Sequence, residues 1–194
     1  MKEEFIMDYI WYVGYGSNLS RQRFFCYIEG GTPDFGKRKH AGCNKDSTLP
    51  VDNKAIVIPY PLYFALPNNC KETSNWGCGG VAFIGHHGVK EVKTFCRMWK
   101  ITKEQYEDVR NQEGRAWYGK EIQLGEEEDV PIYTITIEAV LCNIICPSAT
   151  YLKTMALGLK ETYNFNKQEI ADYLINKEGI KDSLKKDNLI KIIE

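Results

Sequence analysis

Two groups of residues have types and spacing suited to acid–base work on a small molecule. The first is Tyr15-Gly16-Ser17-Asn18-Leu19. An apolar, aromatic run from Tyr9 to Val13 leads in, and a helix-like run from Ser20 to Ile28 leads out. A strand that breaks on glycine into a helix start leaves backbone N–H groups unpaired. Such a turn can receive a carboxylate or a developing oxyanion. The same residues would equally serve as an ordinary strand–helix turn.

The second is Glu113. A helix expected from Thr102 carries an apolar stripe at Tyr106 and Val109, and position 113 continues it at a spacing of four. A carboxylate on a buried stripe is costly unless partnered or protonated. It also falls in the last helical turn, where the macrodipole is negative. Both effects raise its pKa above the unperturbed value of about 4.3, and a carboxylate poised nearer neutrality can take a proton and return it. Alternatively, Glu113 turns to solvent or pairs with Arg110 or Arg115.

The elements that would hold these groups follow from pattern. Tyr9–Tyr15 reads as a strand. Ser20–Glu29 reads as a helix capped by Asn18 or Ser20 and closed by Gly30-Gly31. Ala55–Leu66, interrupted by Pro59 and Pro61 with Pro67 just beyond, reads as an edge strand. Short strands are expected at Val81–Ile84 and Arg97–Ile101. Thr102 and Gln105 fit a capping box for a helix ending at Gly114. Ala116–Leu124 and the alternating Pro131–Ile145 read as strands. Helices follow over Ala149–Glu161 (capped by Ser148), from the Asn166–Glu169 capping box to about Lys177, and over Asp182–Ile193. With no GxGxxG and no βαβ alternation, the pattern predicts an α+β fold with a mixed or mostly antiparallel, barrel-like sheet.

The 194 residues suit one domain, spanning 1–194, and 43% hydrophobic content with four Trp is enough for a core. A net charge of −1 gives no nucleic-acid footprint. No apolar run approaches the roughly 18 residues of a membrane span, and Met1–Met7 lacks signal-peptide anatomy. Seven Cys, an odd number with no C-x-x-C pair, read as reduced thiols of a cytoplasmic protein. No His stands at ligand spacing from a Cys pair, so no metal site is expected. His86-His87 between Gly85 and Gly88 reads as an exposed turn. A thiol nucleophile at Cys26 or Cys78 has no local mark of activation. Pro147-Ser148 with Tyr151, taken alone, reads as a helix start.

In order along the chain, these pieces resemble the γ-glutamylcyclotransferase family in its Y-G-S-N-L branch. The residues that carry the resemblance are Tyr12-Val13-Gly14-Tyr15-Gly16-Ser17-Asn18-Leu19, Gly79-Gly80-Val81-Ala82-Phe83, Trp99-Lys100-Ile101-Thr102 leading to Asn111-Gln112-Glu113-Gly114 with Tyr118, and Pro147-Ser148-Ala149-Thr150-Tyr151-Leu152 running to Gly158-Leu159-Lys160-Glu161. They cover about 9–29, 79–124 and 131–163.

The resemblance implies a small mixed β-barrel flanked by helices, here with extra C-terminal helices at about 165–194. It also implies one reaction, in which the α-amine of a γ-glutamyl group attacks its own γ-carbonyl to give 5-oxoproline and a free amine. Glu113 would be the acid/base, and Tyr12 to Leu19 would cradle the small-molecule substrate. The α-carboxylate would find donors in that turn or in Tyr118. No cofactor is required. The glutathione-specific branch usually carries Y-G-S-L, which fits less well. Residues 32–78 have no clear counterpart and are expected to cover the site mouth, and Ile137 stands about where some members carry a tyrosine. The competing reading is a non-catalytic module that uses the same cup to bind a metabolite or a protein.

Overall fold

Strand β1, Tyr9–Gly14, is buried at every position from Ile10 onward, as expected of a central strand covered on both faces. Its alternation divides the interior in two. Trp11 and Val13 point into one core, and Ile10 and Tyr12 into the other. In the computed structural model, which describes residues 8–35, 38–67, 76–141 and 143–194, the other strands are β2 (Asp52–Ile58), β3 (Leu62–Ala65), β4 (Val81–Ile84), β5 (Thr94–Thr102), β6 (Lys120–Glu127) and β7 (Val130–Thr136). The helices are α1 (Arg21–Glu29), α2 (Lys103–Glu113), α3 (Ala149–Tyr163), α4 (Lys167–Ile175) and α5 (Lys186–Ile193).

The α+β class holds, but the sheet does not close into the expected barrel. Five strands lie in the order β2-β5-β1-β7-β6, and β3-β4 form a separate pair. β1 runs antiparallel to β5 and parallel to β7. The junction between the two sheets is made by a side chain. The Ile84 amide donates to Thr136 Oγ1 at 3.2 Å, and that hydroxyl donates to the Ile84 carbonyl at 3.0 Å.

Residues of α1 and α2 pack on the Tyr12 face, whereas α3, α4, α5 and the β3-β4 pair share the core on the Trp11 face. The Thr102 capping box forms as expected. Thr102 Oγ1 accepts from the Gln105 amide at 3.1 Å, and Gln105 Oε1 accepts from the Thr102 amide at 3.0 Å, an arrangement worth about 1 kcal/mol. Asn166 and Glu169 form the second box at the start of α4. Gly158 of α3 lies where a Cβ would sit 2.4 Å from Leu19 Cβ, so only glycine lets α3 press against the Ser17–Leu19 turn.

Several bounds differ from the expectation. Pro59 and Pro61 split Ala55–Leu66 into β2, an edge of the large sheet, and β3, in the small one. The 32–78 excursion therefore contributes strands to both sheets. The strand expected over Ala116–Leu124 begins only at Lys120, because the Trp117 and Tyr118 amides both bond to the Gly114 carbonyl, at 2.9 and 3.0 Å. β7 stops at Thr136. The chain then pairs with β3 instead, through Leu66 N to Asn143 O and Ile145 N to Phe64 O. The last helix starts at Lys186 rather than Asp182. Most of the polar turn expected over Asn68–Gly80 lies outside the described residues, as do Cys70 and Cys142. Among the described residues, no helix is long and apolar enough to cross a membrane.

Candidate active site

The strand–glycine turn contains an extra step. β1 ends at Gly14, and a 3-10 turn over Ser17–Leu19 precedes α1, which is capped by Ser20 rather than Asn18. Leu19 and Ser20 close this turn by donating to Gly16 O and Ser17 O, each at 3.1 Å, which leaves the Gly16 and Asn18 amides without carbonyl partners among the described residues. The Trp99 indole donates to the Asn18 carbonyl at 3.0 Å and fixes the turn from β5.

Asn18 connects the turn to α2. Its Nδ2 donates to Glu113 Oε1 at 2.5 Å and to the Tyr12 hydroxyl at 3.1 Å. The two sequence-selected groups, 95 residues apart, are therefore in direct contact. Glu113 does not pair with its helical neighbours: Arg110 bonds to Glu107 and Glu121, and Arg115 to Glu107. Burial raises the Glu113 pKa above the usual carboxylate value, against the opposing pull of Arg23, hydrogen bonds from Asn18 and Tyr27, and Arg38. The residue as a whole is half-buried because it lines a cavity, while its carboxylate lies among protein groups.

That cavity has a volume of about 390 Å³. Of the sequence-selected residues, Tyr12, Gly14, Tyr15, Gly16, Ser17, Asn18, Glu113 and Tyr118 line it. Val13 and Leu19 do not, and both are fully buried in the core. The excursion supplies Arg38 and Trp76 to the wall. Cys43, Pro50, Pro59 and Pro61, expected near the mouth, are not among the lining residues.

The hydroxyls divide by where their protons go. Tyr15 donates to Ile135 O at 2.7 Å, and Tyr118 donates to Ala82 O at 3.0 Å. Tyr118 therefore offers the cavity lone pairs, which suit an ammonium better than the carboxylate expected from the sequence. Tyr151 is the opposite case. Its oxygen accepts from the Ala82 amide at 3.0 Å, leaving its own proton for the cavity. Burial pushes its pKa up to about 12, so it stays a donor. A Cβ on Gly16 would lie 2.6 Å from this hydroxyl, which explains glycine there.

Sequence reasoning missed Arg23, Tyr27, Arg38, Trp76 and the Tyr151 hydroxyl. Arg23 was detectable, because the buried face of α1 is Arg23, Phe24, Tyr27 and Ile28. A charge on that stripe carries the same anomaly as Glu113. Arg23 is 5% exposed, and its Nε has no partner among the described residues. Asn18 Oδ1 is likewise buried without a partner. The cavity wall thus holds an unmatched donor and an unmatched acceptor.

None of the described cysteines lines this cavity. Burial raises the pKa of Cys26, Cys43, Cys96 and Cys146, with Cys43 pushed up to about 12, so these four are not activated thiols. The His86 ring bonds to the Ile137 carbonyl at 2.7 Å, away from the cavity.

Solved structures align with this architecture almost end to end. A gamma-glutamyl cyclotransferase matches with a TM-score of 0.57 and 19% identity, over 94% of this chain and 98% of its own. A human protein described as uncharacterized matches with a TM-score of 0.59 and 20% identity, over 95% and 99%. The chain has a γ-glutamylcyclotransferase-like fold. YkqA from Bacillus subtilis shares it with a TM-score of 0.53 and 15% identity, over 85% of this chain and 52% of that one. No family model matches the sequence. A curated relative, histone deacetylase 5 of Arabidopsis thaliana, is 29% identical over 204 residues, covering 85% of this chain. The match spans about 30% of that protein, whose name describes the whole and not the matched part.

Proposed function

We propose that the protein is a γ-glutamylcyclotransferase acting on γ-glutamyl amino acids or peptides. The observation that carries this reading is the 2.5 Å contact between Glu113 and Asn18 inside the cavity, where a raised-pKa carboxylate meets the glycine turn. The substrate's α-ammonium gives a proton to Glu113. The freed amine attacks the γ-carbonyl carbon, Glu113 returns the first proton to the departing nitrogen as the amide C–N bond breaks, and the ring nitrogen gives its second proton to the released amine, which leaves as an ammonium ion. Nucleophile and electrophile belong to one molecule, so holding the ring-closing conformer supplies much of the rate.

The unmatched polar atoms complement this substrate. Asn18 Oδ1 and the Tyr118 oxygen can accept from the α-ammonium beside Glu113. The Tyr151 hydroxyl and the Gly16 and Asn18 amides can receive the oxyanion. Arg23 and Arg38 add two cations to a wall whose single carboxylate among the described residues is Glu113. That imbalance favours a departing amine that carries its own carboxylate. A non-catalytic binder on the same fold gives no reason for a raised-pKa carboxylate at that spot.

The test is to follow 5-oxoproline by mass spectrometry over paired substrates, a γ-glutamyl amino acid and the γ-glutamylamine lacking its carboxylate. The acid should be preferred by roughly tenfold or more in kcat/KM, the worth of one charged hydrogen bond, and Arg38→Ala should narrow the gap. Equal use of both would refute the amino-acid preference. No 5-oxoproline from any member of the panel would refute the activity.

A further inference from the structure

Arg23 and Glu113 carry opposite charges and line the same cavity, and the field of Arg23 reaches Glu113. No ion pair joins them among the described residues, although ion pairs form elsewhere in the molecule. The guanidinium is tethered on its other side. Its Nη1 donates to His40 Nε2 at 2.5 Å, and its Nη2 donates to the Tyr27 hydroxyl at 3.1 Å. The field of Glu113 also reaches that hydroxyl.

His40 is firmly built into this position. It is 3% exposed, its ring centroid lies 4.2 Å from that of Tyr27, and its backbone N–H and C=O both pair with Gly31, at 2.7 and 3.1 Å. Two residues on, Gly42 passes so close to α1 that a Cβ would lie 2.8 Å from Gly30 N. Gln112, the neighbour of Glu113, donates to Tyr27 O at 2.8 Å and to Gly42 O at 3.2 Å, pinning this loop to the end of α2. His40 belongs to the 32–78 excursion, outside the stretches that carry the family resemblance.

We propose that His40 is a positioning residue whose ring holds the Arg23 guanidinium off Glu113, so that both charges face the cavity unpaired. The chemistry of the ring agrees. To accept from Arg23, Nε2 must be unprotonated, and burial together with the Arg23 and Arg38 charges keeps the ring neutral, with a pKa lowered to about 4. A direct Arg23–Glu113 pair would favour the ionised carboxylate and pull its pKa down, making it a weaker base toward the ammonium in the proposed reaction. The catalytic consequence therefore rests on the function proposed above, whereas the charge separation does not.

The groups facing Glu113 are Tyr12 and Tyr15 at the end of β1, Asn18 of the 3-10 turn, Arg23 and Tyr27 of α1, Arg38, Tyr118 and Tyr151 of α3. Those facing His40 are Arg23, Arg38, Tyr27 and Gln112. Replacing the His40 ring by an aliphatic group of similar bulk takes a hydrogen-bond acceptor from Arg23 and a ring contact from Tyr27.

The test reads Glu113 directly, through the carboxyl carbon-13 shift titrated in the wild type, His40→Leu and His40→Gln. His40→Leu should lower the Glu113 midpoint by about one unit or more, as a newly paired cation does, and His40→Gln, which keeps an acceptor, should restore it. An unchanged midpoint in a folded His40→Leu overturns the proposal. If that variant does not fold, the wild type decides through ring nitrogen-15 shifts at neutral pH. An unprotonated Nε2 with a protonated Nδ1 supports the tether, and a protonated Nε2 refutes it. These measurements need no turnover, so an inactive protein would sink the functional reading and leave this one standing. In an active enzyme, His40→Leu should lose about tenfold in kcat with a smaller change in KM, and His40→Gln should recover it.

Discussion

Arg97 and Arg23 are both buried arginines, and they are handled in opposite ways. Arg97 of β5 is 1% exposed and fully partnered. Its Nε and Nη2 donate to Asn53 Oδ1 at 3.0 and 2.6 Å, its Nη1 reaches Glu161 at 3.0 Å and Leu19 O at 3.4 Å, and its guanidinium carbon lies 4.1 Å from the Trp99 ring centroid. Arg23, which lines a cavity, has two neutral hydrogen-bond partners, lies over the Tyr27 and Trp76 rings at 5.0 and 4.9 Å, and has no carboxylate within ion-pair distance and no partner for Nε among the described residues. A satisfied buried charge fixes a structure, because each of its nitrogens bonds inside it. A charge left unmatched beside a cavity is set up to meet something that arrives from outside.

The largest expected effect strikes the satisfied member. Arg97→Ala leaves Glu161 without its cation and should cost about 3–5 kcal/mol of stability, measured by urea unfolding, with kcat per folded molecule unchanged. Comparable loss of turnover in the folded fraction would erase the distinction between the two arginines. Arg23→Gln should do the reverse. It should lower kcat/KM for a γ-glutamyl amino acid by roughly 10- to 100-fold, the worth of a hydrogen bond to a charged group, with a smaller stability change. A variant that is destabilised yet kinetically normal would make Arg23 structural too. Tyr151→Phe should lose about tenfold in kcat by removing one oxyanion donor, and about 1 kcal/mol because the Ala82 amide loses its acceptor.

The smallest effect is in the pH dependence of stability, where the groups around Arg23 have opposite signs. The Glu113 pKa is raised on folding. Its stabilising contribution is complete below the unfolded value of about 4.3 and is lost as pH rises through the folded value. The His40 pKa is lowered to about 4. Its contribution is complete above the unfolded value of about 6.5 and is lost as pH falls through about 4. Wild-type stability minus that of Glu113→Gln should therefore fall with rising pH, and wild type minus His40→Gln should rise. Slopes of the same sign, in denaturant titrations across that range, would contradict the assignment.

Much of the positioning frame was legible because it is local. The capping boxes at Thr102 and Asn166 depend on neighbours a few residues apart, and the first of them, with the stop at Gly114 and the buried stripe through Val109, places Glu113 at the end of α2. What the sequence concealed depends on which sheet a strand joins. The alternation of Pro131–Ile145 continues past Thr136, yet from Asn143 the backbone pairs with β3, and the barrel stays open at Thr136–Ile84. The site was half-legible for the same reason. Glu113 stood out as a charge on an apolar stripe, and the same rule applied to α1 identifies Arg23. Tyr151 carried no such mark, because a tyrosine on a buried helix face is ordinary, and its role depends on where the Ala82 amide points.

The most direct test of the central claim is the rate of 5-oxoproline release from a γ-glutamyl amino acid by the wild type and by Glu113→Gln, with the melting temperature of each. The account predicts turnover by the wild type and a loss of about 10²- to 10⁴-fold in the variant, the span of general acid–base catalysis, at a melting temperature no lower than wild type. Undiminished release by a folded Glu113→Gln would contradict it.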